Sequence, residues 1–488
     1  MNYLSIDVGT TNCKCQLFSD RGEILEERGA AYGFYSENGE TYVDVAAIRS
    51  HVRGMIAAVA QKHAVHSICI SSFGESFVLL DEKDEVLFRP MLYTDPRGEE
   101  EAREIAQRFS EERLFTVTGT LPHSMYSLSK LLWIKKHAAK AFAKADKLML
   151  LCDYLGYLLT GERVIDYSLA ARTGAFDIRA LQFDRDLLAA FSVPYTLFSR
   201  PMPTGSVVGR VKEAVCNELG LPQTCTLVLG SHDQICSALG AGALEEGDAV
   251  DGMGTVECIT SLFRNPPDFS AMGKQGYVCV PYAVQGLYCT YMFNYSCGSL
   301  VNWFRGKLLH GYKGEETNFF DYIEKNMQDT PARVLALPYF AGAATPYQNI
   351  GATGAFFRLT AQTEDAEIYR AILEACAMEM KLNAETVRAY GVEIKRAVAT
   401  GGGANSEKWL QIKADIQDIP IKKLRSSEGG LCGCAMLQAV AMGTAADLTT
   451  AAKTFVRYTK EFTPQGGERY AQNYEKYKKL YHLVKELD

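Results

Sequence analysis

The sequence predicts an α/β protein of two large domains, and three observations support this. The chain has 488 residues, which is too many for one ordinary hydrophobic core. Short apolar runs typical of strands alternate with helical patterns along most of the chain. The segment IDVGTTNCKCQLF, from Ile6, is echoed by VDGMGTVECITSLF, from Val250, as expected for two copies of one unit.

The first hundred residues predict a meander of antiparallel strands followed by a helix and further strands. YLSIDVG, CKCQLFS and EILEERG are apolar runs separated by tight turns. VAAIRSHVRGMIAAVAQKHA has helical periodicity, the strand HSICISS then enters the small loop FGES, and FVLLDEKDEVLF is predicted as one further strand.

The second half of the chain begins at a Gly- and acid-rich segment, GAGALEEGDA, which is the predicted domain crossover. We therefore expect an N-terminal domain over residues 1–244 and a C-terminal domain over 245–488. Past Thr330 the pattern alternates strand, Gly-rich loop, a long helix from about Glu364 to Tyr390, strand, and the loop GGGAN before another helix. The tyrosines of the last segment recur at helical spacing, which is typical of a packed helix face: Tyr470, Tyr474, Tyr477 and Tyr481.

Composition excludes several classes of partner and site. The net charge of −7 gives no basic surface for nucleic acid or an anionic membrane, and no apolar run is long enough to span a bilayer. The N-terminus enters a strand pattern without the features of a secretion signal, so a cytoplasmic location is expected. The 14 cysteines lie in apolar runs, which favours buried, reduced thiols. Neither C-x-C pair, at Cys13 or at Cys432, has the partners needed to complete a zinc site.

Three loops carry residue types suited to binding phosphate. In DVGTTNCK, Asp7 ends a strand, Thr10 and Thr11 supply donors, and Lys14 adds a positive charge. The acid could hold Mg²⁺ or one of its waters, and a nucleoside triphosphate would fit this loop. An ordinary hairpin with an acid at its edge is the alternative.

The other two loops lie in the second half. DGMGTVE offers the same donors around Gly254 and Thr255, and TGGGANSEKW places glycines between a strand and a helix, where backbone can approach a ring or an anion closely. A simple tight connection is the alternative for the glycine-rich loop.

The stretch LVLGSHDQICSALGAG places one acid, Asp233, among small and apolar residues. Desolvating an isolated carboxylate is costly, so this acid should have a partner or a chemical task. A Ser231-His232-Asp233 relay is not expected, because adjacent residues of a strand point to opposite faces.

Together these motifs resemble the FGGY carbohydrate kinases, which belong to the actin, hexokinase and Hsp70 superfamily. The resemblance covers nearly the whole chain, and MYSLSKLLWIKKH at Met125–His137 fits the first signature of the family at every position. The other matching segments are DVGTTNCK, LCDYLGYLLTGE, GSHDQICSALGAG, GMGT, LPYFAGAATP, GAFFRLT with EIYRAILE, and GGGANS.

The resemblance implies two ribonuclease H-like, actin-like ATPase domains with an interdomain cleft, and an enzyme that uses ATP and Mg²⁺. It implies that Asp233 is the catalytic base and that Asp7 supports magnesium. Sugar contacts are implied for Glu75, Ser76, Asp95 and Gln234. Nucleotide contacts are implied for Thr10, Thr11, Lys14, Gly254, Thr255, Gly298, Gly401, Gly402 and Asn405.

The implied activity is transfer of the γ-phosphate of ATP to a small carbohydrate, first a ketopentose such as xylulose. Ribulose, gluconate, erythritol and glycerol are alternatives, because Phe73-Gly74-Glu75 replaces the Met-His-Gly of xylulose kinases and Gln234 replaces their Asn. The arginine of glycerol kinases is missing at Gly74. A non-catalytic nucleotide switch of the actin or Hsp70 type is the rival class. A homodimer is the default oligomeric state.

Two further departures lie outside the implied base and phosphate loops. Arg358 stands where the second family signature has glycine, and Ala343 and Ala344 stand where charged residues are common. We expect these positions to reflect drift or substrate tuning.

Overall fold

The computed structural model describes residues 1–266, 270–309, 316–426 and 428–487. These residues form two compact units. Unit 1 consists of Met1–Leu244, Val278–Tyr288 and Glu428–Val456, and unit 2 consists of Glu245–Tyr277, Cys289–Ser427 and Arg457–Asp488. Unit 1 therefore draws on three separate stretches of the chain.

The strands up to residue 244 are β1 (Asn2–Val8), β2 (Asn12–Ser19), β3 (Ile24–Ala31), β4 (Phe34–Glu37), β5 (Glu40–Val43), β6 (Ser67–Ser72), β7 (Phe77–Leu80), β8 (Val86–Phe88), β9 (Lys147–Leu150), β10 (Val164–Asp166), β11 (Phe176–Asp177), β12 (Gln182–Phe183), β13 (Arg200–Met202), β14 (Val207–Arg210) and β15 (Thr226–Val228). The helices in this range are α1 (Val45–Ala60), α2 (Glu99–Arg108), α3 (Glu111–Thr118), α4 (Ser127–His137), α5 (Ala139–Ala143), α6 (Leu151–Thr160), α7 (Tyr167–Ala171), α8 (Arg185–Ala190), α9 (Glu213–Leu219) and α10 (Asp233–Gly240).

The later strands are β16 (Asp248–Met253), β17 (Glu257–Phe263), β18 (Val280–Pro281), β19 (Tyr288–Asn294), β20 (Leu335–Leu337), β21 (Ala355–Phe357), β22 (Arg396–Thr400), β23 (Ile421–Leu424) and β24 (Tyr458–Phe462). The later helices are α11 (Ser270–Lys274), α12 (Gly298–Trp303), α13 (Glu316–Asn326), α14 (Asp365–Arg388), α15 (Glu407–Gln417), α16 (Gly429–Ala441), α17 (Leu448–Phe455) and α18 (Ala471–Lys485).

The main sheet of unit 1 has the strand order β14-β15-β6-β1-β2-β3. Strands β1, β2 and β3 pair antiparallel, as the meander predicts, whereas β6 pairs parallel with both β1 and β15. All six residues of β6 are buried. Because β1 and β6 run in the same direction, their carboxyl ends bring the loops that follow them to one edge of the sheet.

Six strands of unit 2 repeat this arrangement in the order β19-β17-β16-β22-β23-β24. Here β16 pairs antiparallel with β17 and parallel with β22, and β22 pairs parallel with β23. The echo between the segments at Ile6 and Val250 thus corresponds to two sheets built by the same rule.

One strand predicted from sequence is in fact two. FVLLDEKDEVLF forms β7 and β8, which pair antiparallel around a turn. The Asp81 carboxylate accepts hydrogen bonds from the amides of Lys83 and Glu85 at 2.8 and 2.9 Å, and such a local bond favours a turn over an extended chain.

Helices α10 and α16 of unit 1 pack at backbone contact distance. A Cβ atom on Gly240 would lie 1.9 Å from the carbonyl oxygen of Gly429, and one on Gly433 would lie 2.1 Å from that of Cys236. Only glycine allows this approach. The contact sets the position of Asp233, which begins α10.

The cysteines are free thiols, and all except Cys432 are buried, as the sequence predicts. Within the described ranges, the helices are either too short or too polar to cross a bilayer.

Candidate active site

The first predicted phosphate loop is the turn between β1 and β2 in unit 1. In the register of these two strands Asp7 lies opposite Lys14. Thr10 is half-buried and Thr11 is exposed in the turn that joins the strands. The loop therefore places an acid, a lysine and two threonines at one end of the sheet.

The Asp7 carboxylate is held by the neighbouring strand β6 and lies close to the start of α16. Ser71 of β6 donates to Asp7 Oδ1 at 2.6 Å, and Lys14 Nζ donates to Glu428 at the start of α16 at 2.7 Å. A Cβ atom on Gly430 would lie 3.7 Å from Asp7 Oδ1. Burial raises the pKa of Asp7 to about 6, although the Ser71 hydrogen bond opposes the rise. Sequence reasoning expected a small-residue helix around Cys432 and Cys434 but missed its place beside Asp7, for which the opening glycines of α16 were the available signal.

Asp233 is the first residue of α10, with 28% of its side chain exposed. Its Oδ1 accepts a hydrogen bond from the Gln234 amide at 2.6 Å and lies 3.3 Å from His232 Nε2. Burial and the negative charges of Asp7 and Glu75 raise the pKa of Asp233 to about 8. The acid singled out in the sequence is therefore partly accessible and close to two other carboxylates, and Gln234 beside it is exposed.

The neighbours of Asp233 do not form a serine relay. The Ser231 hydroxyl donates to Asp166 at 2.7 Å, within a buried hydrogen-bonded group. Burial and the positive charge of Arg172 hold the pKa of His232 well below its usual value, so this histidine is uncharged. Ser231 thus bonds away from His232, whereas His232 and Asp233 do contact each other, because Asp233 begins a helix and the alternation of a strand does not apply to this pair.

Glu75 and Arg172 form a buried ion pair next to Asp233. Glu75 lies between β6 and β7 with a left-handed backbone, φ +61°, and Arg172 Nε donates to its Oε1 at 2.5 Å. Burial and the charges of Glu75 and Asp233 raise the pKa of Tyr93, which therefore lies near both acids. A Cβ atom on Gly74 would lie 3.2 Å from the Arg172 side chain. Sequence reasoning missed Arg172 and Tyr93, although a lone arginine in the small, apolar run LAARTGA is a signal like that of Asp233.

Asp95 and Ser76 differ in their hydrogen bonding: the Asp95 carboxylate has several donors, whereas the Ser76 hydroxyl has no partner among the described residues. The Asp95 carboxylate accepts from Arg97 Nε at 2.7 Å and from the Thr41 amide at 2.6 Å. Burial alone would raise the pKa of Asp95, but these donors lower it below its usual value. The Ser76 hydroxyl is buried without a hydrogen-bond partner among the described residues, a state usually relieved by a water or a ligand.

The second predicted phosphate loop is the turn between β16 and β17 in unit 2. Gly254 and Thr255 are exposed at its tip. The Gly298 amide, at the start of α12, donates to the Gly254 carbonyl at 3.0 Å, and a Cβ atom on Gly298 would lie 2.7 Å from that oxygen. The structure thus brings these three predicted residues together.

The glycine-rich loop of unit 2 packs against the same turn. Gly401 adopts φ +87°, and a Cβ atom there would lie 2.8 Å from the Met253 carbonyl oxygen. Gly402 has open space around its Cα, and Asn405 is exposed. Gly401 therefore serves the close approach of two backbones, while Gly402 leaves space beside them.

A cavity of about 630 Å³ in unit 2 collects most of these residues. Its wall includes Gly254, Thr255, Gly298, Gly402 and Asn405. This volume is in the usual range for a small-molecule or cofactor site. Sequence reasoning missed five other wall residues, which are Asn302, Asp321, Glu324, Tyr369 and Trp409. Of these, only Trp409 closely follows a recognised motif, the loop GGGANS.

Asp7 and Asp233 suit a divalent cation that shares its ligands with phosphate. The negative charge of Asp7 contributes to the raised pKa of Asp233, so a cation would relieve their repulsion. Mg²⁺ prefers oxygen ligands and is often held by one or two carboxylates plus substrate phosphates. Within the described ranges, no group of three or more His, Cys, Asp or Glu side chains could hold a metal ion by itself.

The departures from the family pattern have structural counterparts. Arg358 follows β21 with a left-handed φ of +67°, a conformation in which glycine is strongly favoured. The glycine of the family signature at this position is therefore explained by the backbone. Ala343 and Ala344 are both buried.

The chain matches the FGGY family of carbohydrate kinases, N-terminal domain, over residues 2–240, and the C-terminal domain of that family over residues 262–442. Both halves of the sequence therefore carry the family pattern.

Among curated proteins, the chain is 26% identical to a xylulose kinase of Staphylococcus epidermidis, with 99% of this chain and 97% of that protein covered. It is also 26% identical to a gluconokinase of Bacillus subtilis, with 90% of this chain and 87% of that protein covered. Similarity at the same level thus extends to enzymes named for two different sugars.

Among solved structures, the xylulose kinase of Rhodospirillum rubrum superposes with a TM-score of 0.91 at 25% identity. The alignment covers 100% of this chain and 99% of that one. The fold is the two-domain, actin-like ATPase fold of the FGGY sugar kinases, as the sequence predicts.

Proposed function

We propose that this chain, which belongs to the FGGY family of carbohydrate kinases, phosphorylates a neutral ketopentose such as xylulose. It is an ATP-dependent sugar kinase. The observation that carries the substrate proposal is the buried Glu75–Arg172 pair beside Asp233.

The charges around Asp233 favour a neutral sugar over a sugar acid. A sugar carboxylate needs a cation, but Arg172 is already neutralised by Glu75 and His232 is uncharged. Full-length similarity to xylulose kinases supports the same choice. Gluconate is the second candidate, because the gluconokinase of Bacillus subtilis is equally similar in sequence.

We assign the role of general base to Asp233. A carboxylate that accepts the proton of the attacking hydroxyl accelerates such a step by about 10²- to 10⁴-fold. Its position at the first turn of α10 fixes its direction, and the Gln234 amide orients one carboxylate oxygen. Glu75 and Gln234 contact the sugar in this proposal. Ser76 offers its unpartnered hydroxyl and Asp95 shapes the loop.

The nucleotide is assigned to the predicted loops. Thr10, Thr11 and Lys14 bind phosphate in unit 1, and the cavity of unit 2 binds the nucleoside and its phosphates. The unit 2 contacts are Gly254, Thr255, Gly298, Gly401, Gly402 and Asn405. Exposed backbone N–H groups and hydroxyls neutralise phosphate charge without covalent chemistry, which is most of what phosphoryl transfer requires of a protein.

Mg²⁺ fits Asp7, with Asp233 close by, and when bound it neutralises charge that develops on the phosphate oxygens. The protein's own contribution at this place is to hold the Asp7 carboxylate through Ser71. The positive end of α16, beside Gly430, adds a favourable field for anionic oxygens.

The test is sugar-stimulated release of ADP, measured with D-xylulose, D-ribulose, D-gluconate, erythritol and glycerol. We expect the highest kcat/KM with D-xylulose. A higher value with D-gluconate would replace the ketopentose by the second candidate. Absence of stimulation by any sugar would contradict the kinase and favour a nucleotide switch.

The matched variant is Asp233→Asn, which keeps the shape and the helix start but removes the base. We expect kcat to fall by about 10²- to 10⁴-fold, with ADP affinity nearly unchanged. Wild-type kcat in this variant would remove Asp233 from the mechanism.

A further inference from the structure

A buried charged cluster in unit 2 has no role in the proposed chemistry. Lys413 of α15, Asp251 of β16 and Glu257 of β17 are essentially inaccessible to solvent. Lys413 Nζ lies 2.8 Å from Asp251 Oδ2 and also contacts Glu257 Oε1. We call these three residues the lysine cluster.

The lysine cluster is unusual for a protein core. It has two carboxyl groups for one ammonium group, and burial with the nearby Asp251 raises the pKa of Glu257 even though Lys413 opposes the rise. Buried ion pairs often contribute less to stability than apolar side chains of similar volume. Stability alone therefore does not account for three charged groups at this place.

The three elements joined by the cluster each lead to a wall of the 630 Å³ cavity. Asp251 and Glu257 flank the β16–β17 turn, whose Gly254 and Thr255 face the cavity. Lys413 lies one helical turn beyond Trp409, another wall residue. The cluster is thus placed behind the phosphate loop and not inside the cavity.

Among the described contacts, the ion pairs of Lys413 are the only ion pairs that join α15 to the two strands flanking the turn. The Gly298 amide supports the tip of the turn through Gly254, but it comes from α12. A side chain that contacts both flanking strands can fix the angle at which the turn presents its donors.

We propose that Lys413 is a positioning residue for the nucleotide phosphates: through Asp251 and Glu257 it holds the Gly254–Thr255 turn in register with helix α15. This rests on the proposed function, because it requires phosphates to bind at that turn. The nucleoside end of the ligand contacts other wall residues, so it does not depend on Lys413.

The experiment compares binding of ADP, with MgCl₂, and of adenosine by calorimetry in wild type and two variants. Lys413→Met tests the link directly. Because it leaves two buried acids, the triple variant Asp251→Asn/Glu257→Gln/Lys413→Met is also measured, since it removes every charge of the cluster and so leaves no uncompensated buried charge. We expect ADP affinity to fall on the order of tenfold or more in the folded variants, since small misplacements of binding groups are costly. Adenosine affinity stays within about twofold of wild type.

Kinetics supply the second measurement. KM for ATP should rise while KM for the sugar stays unchanged, a division that a general loss of stability would not produce. The matched control is Arg370→Met/Glu374→Gln, which removes another buried ion pair of unit 2, within α14 and outside the cavity wall. It should lower the melting temperature without changing KM for ATP.

The measured ADP and adenosine affinities decide whether Lys413 positions the phosphate-binding turn. Equal losses of ADP and adenosine affinity, or unchanged ADP affinity in the triple variant, would overturn the positioning role of Lys413. If wild type bound no ADP and phosphorylated no sugar, the proposed function would fail first, and the two failures are therefore distinguishable.

Discussion

The ion pair beside Asp233 illustrates how much one buried charge depends on another. Burial raises the pKa of Glu75, and the neighbouring Arg172 guanidinium opposes this rise. Ser127 donates to the Glu75 carbonyl at 2.7 Å and so fixes the backbone of the same residue. The side chain proposed to meet the sugar is thus oriented from both ends.

Arg172→Met should destabilise the protein, because it leaves the Glu75 carboxyl buried without its cation. We expect a loss of about 3–5 kcal/mol in the free energy of unfolding, measured by denaturant titration. The double variant Arg172→Met/Glu75→Gln should recover most of this loss, whereas KM for the sugar should stay raised. Full recovery of sugar KM in the double variant would contradict the role of the pair.

Single residues were predictable from sequence where local pattern marks them. Asp7 and Asp233 are lone acids beside small residues at the ends of apolar runs, and the structure brings them near each other. Arg172 was not predictable as a neighbour of Glu75, because the pair joins residues 97 positions apart and depends on how loops pack. Periodicity reports which face is buried but not which long-range partner covers it.

Helix packing offers a test of the α10–α16 contact. Gly240→Ala would place a methyl group 1.9 Å from the Gly429 carbonyl oxygen, so the helices must separate. We expect a loss of about 1–3 kcal/mol in stability and a fall in kcat, because α10 carries Asp233. Thermal unfolding and steady-state kinetics measure the two effects.

The control for this substitution is Gly54→Ala in α1, where no atom lies within 4 Å of the new methyl group. Alanine should stabilise this exposed helical position by up to about 1 kcal/mol. If both variants behaved alike, helix propensity and not the close contact would govern the result at Gly240.

Tyr477 of the α18 face and Tyr339, which follows β20, both contact a buried acid of α14. Tyr339 and Tyr477 both donate to the Glu379 carboxylate, and burial raises the pKa of Glu379 to about 7 despite these hydrogen bonds. The folded protein therefore holds this proton more tightly than the unfolded chain does. The resulting stability is complete below pH 4.5 and is lost as the pH rises through about 7.

Glu379→Gln should remove this pH dependence. Relative to the variant, wild type should lose on the order of 3 kcal/mol between pH 4.5 and pH 8, measured as the difference in unfolding free energy. Glu475→Gln, on the exposed side of α18, controls for the loss of a charge. A difference between wild type and the Glu379 variant that does not change with pH would contradict the argument.

Elements were predictable where turn chemistry agrees with periodicity. The β1–β2 turn, the GGGAN loop and the tyrosine helix face are all present. FVLLDEKDEVLF was wrong as a single strand, because the Asp81 side chain competes with extended backbone for the amides that follow it. The positions of apolar residues alone do not reveal such local hydrogen bonds.

Unit 1 as a whole depends on a helix that is synthesised late. Gln438 of α16 accepts from Ser67 at 2.7 Å and donates to Ser5 at 3.2 Å, so two buried strand residues rely on it. Residues 1–244 alone should therefore fail to fold cooperatively. Thermal unfolding followed by circular dichroism would measure this, and a cooperative transition of a monodisperse fragment would contradict it.

The sequence predicted two copies of one unit, and the strand order of the main sheet of unit 1, which is matched by six strands of unit 2, agrees with it. Residues 428–456 belong to unit 1, but no local sequence pattern indicates this. Its evidence is the glycine-to-glycine contact of helices whose residues are far apart in the chain.

The discontinuity of unit 1 also has a consequence during translation. At about 5–20 residues per second, roughly 10–40 s pass between the emergence of α10 and that of α16. Throughout that interval the nascent chain exposes the face of α10 that contains Gly240, together with the apolar β6. We therefore expect chaperone demand in the cell to depend on how fast the ribosome translates the part of the message between α10 and α16.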